Sequence, residues 1–191
     1  GKSTTALNLA LLFAKHNWRV GLIDLDPLSN ITTILGIPDD TLRKIQSDPS
    51  SDGDFSRFKH AYAPGIDIVF PIAAAGDDRS SRKFQLFTHF AQELAANYDL
   101  LIFDMPAGIS SEENLAFLPY INQLLVVTNA EPTSHVSAGG YIKSALEIRP
   151  DLKILFWHNR YRPATETGFN PTAVLENYNR YVPEDLRVDE T

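Results

Sequence analysis

Two periods of apolar residues alternate along the chain, and each switch between them marks an element. Across residues 3–15, Leu7, Leu11 and Ala14 recur at helical spacing behind Ser3 and Thr4, which predicts a helix. Residues 19–24 (RVGLID) are a short apolar run closed by an acid, the pattern of a buried strand. Residues 38–64 are mixed and broken by Pro38, Pro49, Gly53 and Pro64, with a loop expected at 47–54. A strand is expected at 65–70 (GIDIVF) and a helix at 82–97, where Phe84, Phe87, Phe90, Ala91 and Leu94 share one face. Residues 98–104 (YDLLIFD) predict a strand, 114–118 a short helix, 123–128 (QLLVVT) a strand, 133–148 a helix, 152–157 a strand and 171–178 a helix. Near-continuous apolar strands alternating with amphipathic helices predict an α/β fold. Its sheet is mostly parallel and covered by helices on both faces. Ligands of such sheets bind beyond the carboxyl ends of the strands, so the polar residues that close each strand are the candidates for chemistry.

Composition narrows the picture. The chain has 191 residues, enough for one domain with a sizeable core, and neither repeats nor low-complexity segments. A net charge of −7 argues against a surface that is basic throughout, while leaving room for a local basic patch. The absence of cysteine removes disulfides, zinc–thiolate sites and cysteine-ligated iron–sulfur clusters, and is compatible with a cytoplasmic setting. No apolar run approaches the roughly 20 residues that span a bilayer. The five histidines, His16, His60, His89, His135 and His158, have no metal-ligand spacing and read as surface or core residues. Leu155, Phe156 and Trp157 read as a buried strand. The chain opens on Gly1 rather than Met, so its true N-terminus is expected to be missing; it is expected to be a single domain over 1–191 that lacks its first strand and its C-terminal end.

Three short motifs carry chemistry. Gly1-Lys2-Ser3-Thr4 directly precedes a helix and matches the end of a phosphate loop, G-x-x-x-x-G-K-[ST]. There, backbone N–H groups and a helix N-terminus face phosphate oxygens, the lysine reaches the β- and γ-phosphates, and the following hydroxyl ligates Mg²⁺. Asp24 and Asp26 close the first predicted strand, with Pro27 stopping regular structure; paired acids beside a phosphate site hold Mg²⁺ waters and orient an attacking water. Asp104 closes YDLLIFD, the arrangement of a Walker B acid. Each motif alone also fits an ordinary helix start or strand end; their order along the chain is what makes them specific.

GKSTTALNLALLFA followed by VGLIDLDPLSN resembles the ParA/MinD family of deviant Walker ATPases. The likeness continues through YDLLIFDMPAGIS, LLVVTNAEPTS, ILFWHNR and YVPEDLRVDE, so it covers nearly the whole chain. DMPAGISSEENLAF favours the MinD/FlhG-like branch, whereas DLDPLSN leans toward ParA. The EPTS helix start is similar to that of flagellar-number regulators, but Ser137-Ala138-Gly139-Gly140 departs from their pattern. The resemblance implies an ATP- and Mg²⁺-dependent ATPase, slow and partner-stimulated. In it Lys2, Asp26 and Asp104 are catalytic, and Gly1, Lys2, Ser3 and Thr4 bind phosphate. Ser3, Asp24 and Asp104 serve the metal, Asn159 with the adjacent Arg160 binds the base, and 107–109 form a switch. It also implies an ATP-dependent homodimer, a regulatory protein partner, and either DNA or a membrane surface as matrix, with the protein cytoplasmic or peripheral to membrane or nucleoid. The family's signature lysine would precede Gly1. A ParA-type DNA-partition ATPase, a metabolic P-loop ligase or kinase, and a binding module that has lost hydrolysis remain as alternatives.

Overall fold

The computed structural model describes residues 1–26, 30–38, 40–41, 55–70, 87–106 and 115–159, with residues 176, 179–180, 184 and 187. The expectations for 47–54, 82–86 and 107–109, and nearly all of 171–178, lie outside them. Two compact units are present, one over Lys2–Ala107 and one over Gly108–Thr191 together with Gly1.

In the first unit a helix, α1 (Lys2–Lys15), leads into β1 (Val20–Asp24). A six-residue helix, α2 (Asn30–Leu35), follows, then a 3₁₀ turn (Phe55–Phe58), β2 (Lys59–Ala63) and β3 (Ile66–Val69). The unit closes with helix α3 (Ala91–Asn97) and β4 (Leu100–Asp104). The sheet order is β2-β3-β1-β4. β1 is parallel to both β3 and β4, and among the described strands of this unit β2 alone runs antiparallel, on β3. All five residues of β1 are buried, so its two faces are both covered, as a near-continuous apolar strand requires. The predicted mostly parallel sheet flanked by helices is present.

The core gathers Ala6, Leu7 and Ala10 from α1 with Val20, Leu22, Ile31, Ile66, Ile68 and Phe70. Of the expected stripe of α1, Leu7 is buried and Ala14 packs against the core, joined by Thr5, Ala6 and Ala10, whereas Leu11 lies exposed, as does Leu12. Small residues at 6 and 10 let the helix lie close to the sheet beside Leu7, and Leu11 and Leu12 turn outward. Gly21 is required for a similar reason. A Cβ there would sit 2.8 Å from Leu101 Cδ2 and 3.0 Å from Tyr98 Cδ2. Tyr98 is fixed in place because its hydroxyl donates to Asp67 Oδ2 at 2.8 Å, and Lys59 Nζ lies 3.3 Å from the same oxygen. Burial, with the Asp67 carboxylate beside it, pushes the Tyr98 hydroxyl pKa up. At the strand start, Arg19 and Asp99 tie β1 to β4 through Arg19 Nη2 and Nε and the Arg19 backbone N–H. These bonds hold the exposed Asp99 carboxyl down at about 2.

Two elements here escaped the sequence reading. α2 is only six residues long, and β2 (KHAYA) is a half-exposed edge strand without alternation, paired on one side by β3. The Pro64–Gly65 turn that joins β2 to β3 places Gly65 at φ 80°, a conformation glycine adopts without Cβ strain.

In the second unit a 3₁₀ turn (Leu118–Tyr120) precedes β5 (Gln123–Thr128), helix α4 (Pro132–Ile148) and β6 (Lys153–His158). β5 and β6 pair in parallel, a β-α-β unit. Leu118, Ala145 and Leu152 form one small core and Val126, Ala138 and Ile142 another. The Arg149 guanidinium donates to the carbonyls of Leu118 and Ile121, and so satisfies the end of the 3₁₀ turn. One expectation fails: Leu155, Phe156 and Trp157 are exposed, Trp157 by 50%. Among the described residues β6 pairs only with β5, so its apolar sequence is not enclosed.

The His135 ring, in the first turns of α4, lies 6.0 Å from that of His158 at the end of β6, at an interplanar angle of 10°. His135 is buried, and its Nε2 has no hydrogen-bond partner among the described residues. Burial, then the neighbouring His158, push the His135 pKa below the usual 6.5. An unfolded chain therefore takes up this proton at a higher pH than the folded one. Stability is full above about pH 6.5 and falls as pH drops below it toward the folded value. Melting temperature followed from pH 7.5 to 5.5 is expected to fall more in the wild type than in His135→Gln; parallel curves would contradict the assignment.

Candidate functional site

Five of the expected residues meet in the first unit, at the carboxyl ends of β1 and β4. The two strands run in parallel with Asp24 opposite Asp104, so both carboxyl groups leave the sheet at the same level. The Leu25 N–H donates to the Asp104 carbonyl at 3.0 Å and extends the pairing one residue past β1. α1 directs its N-terminus to these strand tips: the Ser3 hydroxyl hydrogen-bonds the Asp104 carboxylate, and the Lys2 charge acts on it. A fourteen-residue helix concentrates partial positive charge and unsatisfied N–H groups at this end. Thr4, in the same turn, is exposed.

Asp24, Asp26 and Asp104 are all buried. Burying carboxylates is costly unless they are hydrogen-bonded or paired with cations. Asp24 Oδ1 accepts the Asp26 N–H at 3.1 Å, which folds the chain after β1 back over the strand tip. Asp26 Oδ2 accepts from Asn30 Nδ2 at 3.0 Å. Asp104 Oδ2 is buried without a hydrogen-bond partner among the described residues. Burial pushes the Asp104 pKa up; the Ser3 hydrogen bond and the Lys2 charge oppose this, and the Asp26 charge adds to it.

Carboxylates and a hydroxyl are hard oxygen donors suited to Mg²⁺, and the orphaned Asp104 oxygen marks where one ligand, direct or through water, would come from. Among the described residues no group of three or more His, Cys, Asp or Glu side chains could hold a metal unaided.

Asn159 follows β6 in the second unit, and its N–H donates to the Thr128 carbonyl at 2.8 Å. Gly1 is exposed. Arg160 and residues 107–109 lie outside the described residues. Sequence reasoning missed Asn30, although a polar amide four residues after the second acid was visible, and missed the His135–His158 contact, which only tertiary structure creates.

The family model for the CobQ/CobB/MinD/ParA nucleotide binding domain matches residues 1–168. The septum site-determining protein MinD of Helicobacter pylori is 28% identical over 129 residues, 67% of this chain and 48% of that protein. The chain thus spans about half the length of the curated relatives it matches. Among solved structures, the MinC:MinD cell division protein complex of Aquifex aeolicus superposes with a TM-score of 0.69 at 20% identity, covering 94% of this chain and 73% of that one. The cobyrinic acid a,c-diamide synthase of Mycobacterium smegmatis, with bound ADP and magnesium, gives a TM-score of 0.71 at 23% identity, covering 94% and 76%. Both likenesses concern the fold. With the family model matched over most of its length and helix α1 meeting two acid-tipped parallel strands, the chain belongs to the CobQ/CobB/MinD/ParA nucleotide-binding domain family.

Proposed function

We propose that the chain is the ATP-binding and ATP-hydrolysing domain of a MinD-like switch. Its nucleotide-dependent self-association would control binding of a regulatory partner in positioning or partitioning a cellular structure. The observation that carries this reading is the convergence of Lys2, Ser3 and the buried acids Asp24, Asp26 and Asp104 at one end of the sheet. Lys2 and the N–H groups of α1 hold the β- and γ-phosphates. Ser3, Asp104 and Asp24 would hold Mg²⁺, which would supply charge neutralisation at the phosphate oxygens. Asp26 orients the attacking water. The water oxygen bonds the γ-phosphorus while the bond to the bridging oxygen breaks, its electron pair leaving with ADP. The proton that water gives up passes by way of Asp26 to the released phosphate. The resemblance to the family would give Gly1 and Thr4 phosphate contacts and would give Asn159 with Arg160 the base, an amide being both donor and acceptor.

The relatives support the reading in kind: a MinD occurs in complex with MinC, and a fold relative binds ADP and magnesium. In this reading turnover is slow, because its product is a change of partner affinity, and the protein works in the cytoplasm against a membrane or nucleoid surface. The test uses the full-length protein. ATP hydrolysis and sedimentation are measured with ATP or ADP, alone, with DNA, and with anionic liposomes. ATP-dependent dimers with lipid-linked stimulation are expected; stimulation by DNA alone would move the assignment to partition. ADP release that depends on a small carboxylic acid and an amide donor would replace it with a ligase.

A further inference from the structure

Two contacts help to place Asp26, and one of them comes from a side chain with no role in the site as described so far. Its backbone N–H is tied to Asp24 Oδ1, which fixes the main chain but leaves rotation about the side-chain bonds. The carboxylate itself is gripped by Asn30, whose Nδ2 donates to Asp26 Oδ2 at 3.0 Å in a part-buried setting. Asn30 is the first residue of α2, and its neighbour Ile31 is fully buried in the core of the unit. The amide is thus mounted on an element anchored by packing. A short carboxylate with two torsions, held at one oxygen by such a donor, loses most of its freedom to swing.

We propose that Asn30 is a positioning residue for hydrolysis: its amide N–H sets the orientation of the Asp26 carboxylate that orders the attacking water. The inference rests on the role of Asp26 given above. Asparagine suits the task because it donates without charge. A lysine here would neutralise the acid, and an aspartate would repel it. Displacing a catalytic group by a fraction of its length costs large factors in rate while leaving the phosphate contacts of Lys2 and Ser3 in place.

The competing explanation is that Asn30 merely starts α2. Asparagine, aspartate and serine are all favoured at helix starts, so Asn30→Asp and Asn30→Ser preserve that property while removing the grip on Asp26. Single-turnover ATP hydrolysis, Mg·ATP affinity and melting temperature are measured for the full-length protein and these two variants. The expected result is a hydrolysis rate at least about tenfold lower in both, with affinity and melting temperature held in Asn30→Ser, which sets no second carboxylate against Asp26. Wild-type rates in Asn30→Asp would overturn the inference. If Asp26→Ala is inactive while Asn30→Asp is not, the role of Asn30 falls and that of Asp26 stands. A wild-type protein that hydrolyses no ATP overturns both.

Discussion

Asp26→Ala is expected to lower ATP hydrolysis by about 10²–10⁴-fold, the range for loss of a positioned acid–base group, while Mg·ATP still binds. Asp26 is buried and doubly held, by Asp24 at its backbone and Asn30 at its carboxylate, so its position is preset rather than acquired during reaction. In the proposed site the phosphate contacts would arise elsewhere, from Lys2, Ser3 and the N-terminus of α1, and truncation at 26 would leave them standing. Chemistry and binding therefore separate at this residue. The variant should accumulate as the ATP-bound dimer, visible as a nucleotide-dependent sedimentation shift that persists for longer than in the wild type. Hydrolysis at the parental rate would show that another group orders the water.

The second large effect concerns stability. Leu22 lies at the centre of β1, fully buried, between β3 and β4 and beneath α1. Leu22→Ala removes contacts that the close-packed surroundings cannot recover, at a cost of about 2–5 kcal/mol. Against a total of about 5–15 kcal/mol for a domain, that is a large share. The same truncation at Leu12, 51% exposed on the outer side of α1, is expected to cost no more than about 0.5 kcal/mol. Denaturant titration distinguishes them: the midpoint should fall sharply for Leu22→Ala with the slope unchanged, and barely move for Leu12→Ala. Equal losses would mean that the core is not where the buried residues put it.

The sequence was most legible where burial is two-sided and the chain long enough to show a period. QLLVVT at 123–128 coincides with β5 to the residue, and the helix and strand around Leu7 and Leu22 were found within a residue or two. It was least legible at the sheet's edge. β2 owes its existence to hydrogen bonds with β3, and nothing in KHAYA announces a partner 8 residues away. α2 is too short for periodicity and is held by the burial of Ile31. Apolar character misled at Leu11 and at 155–157, because hydrophobicity says that a residue prefers burial, not which side of an element receives cover. At the site, Lys2, Ser3, Asp24, Asp26 and Asp104 were visible because each lies at, or within two residues of, the end of an element. Asn30 was visible only as a polar amide, since its significance is its distance to Asp26 rather than its residue type.

The most direct measurement is equilibrium binding of Mg·ATP to the full-length protein and to Lys2→Ala. Loss of a charge-assisted phosphate contact of about 1.5–3 kcal/mol weakens binding by about 10- to 150-fold. The account predicts saturable, magnesium-dependent binding by the wild type and a loss of at least that order in the variant. Equal affinity in the two proteins would contradict it.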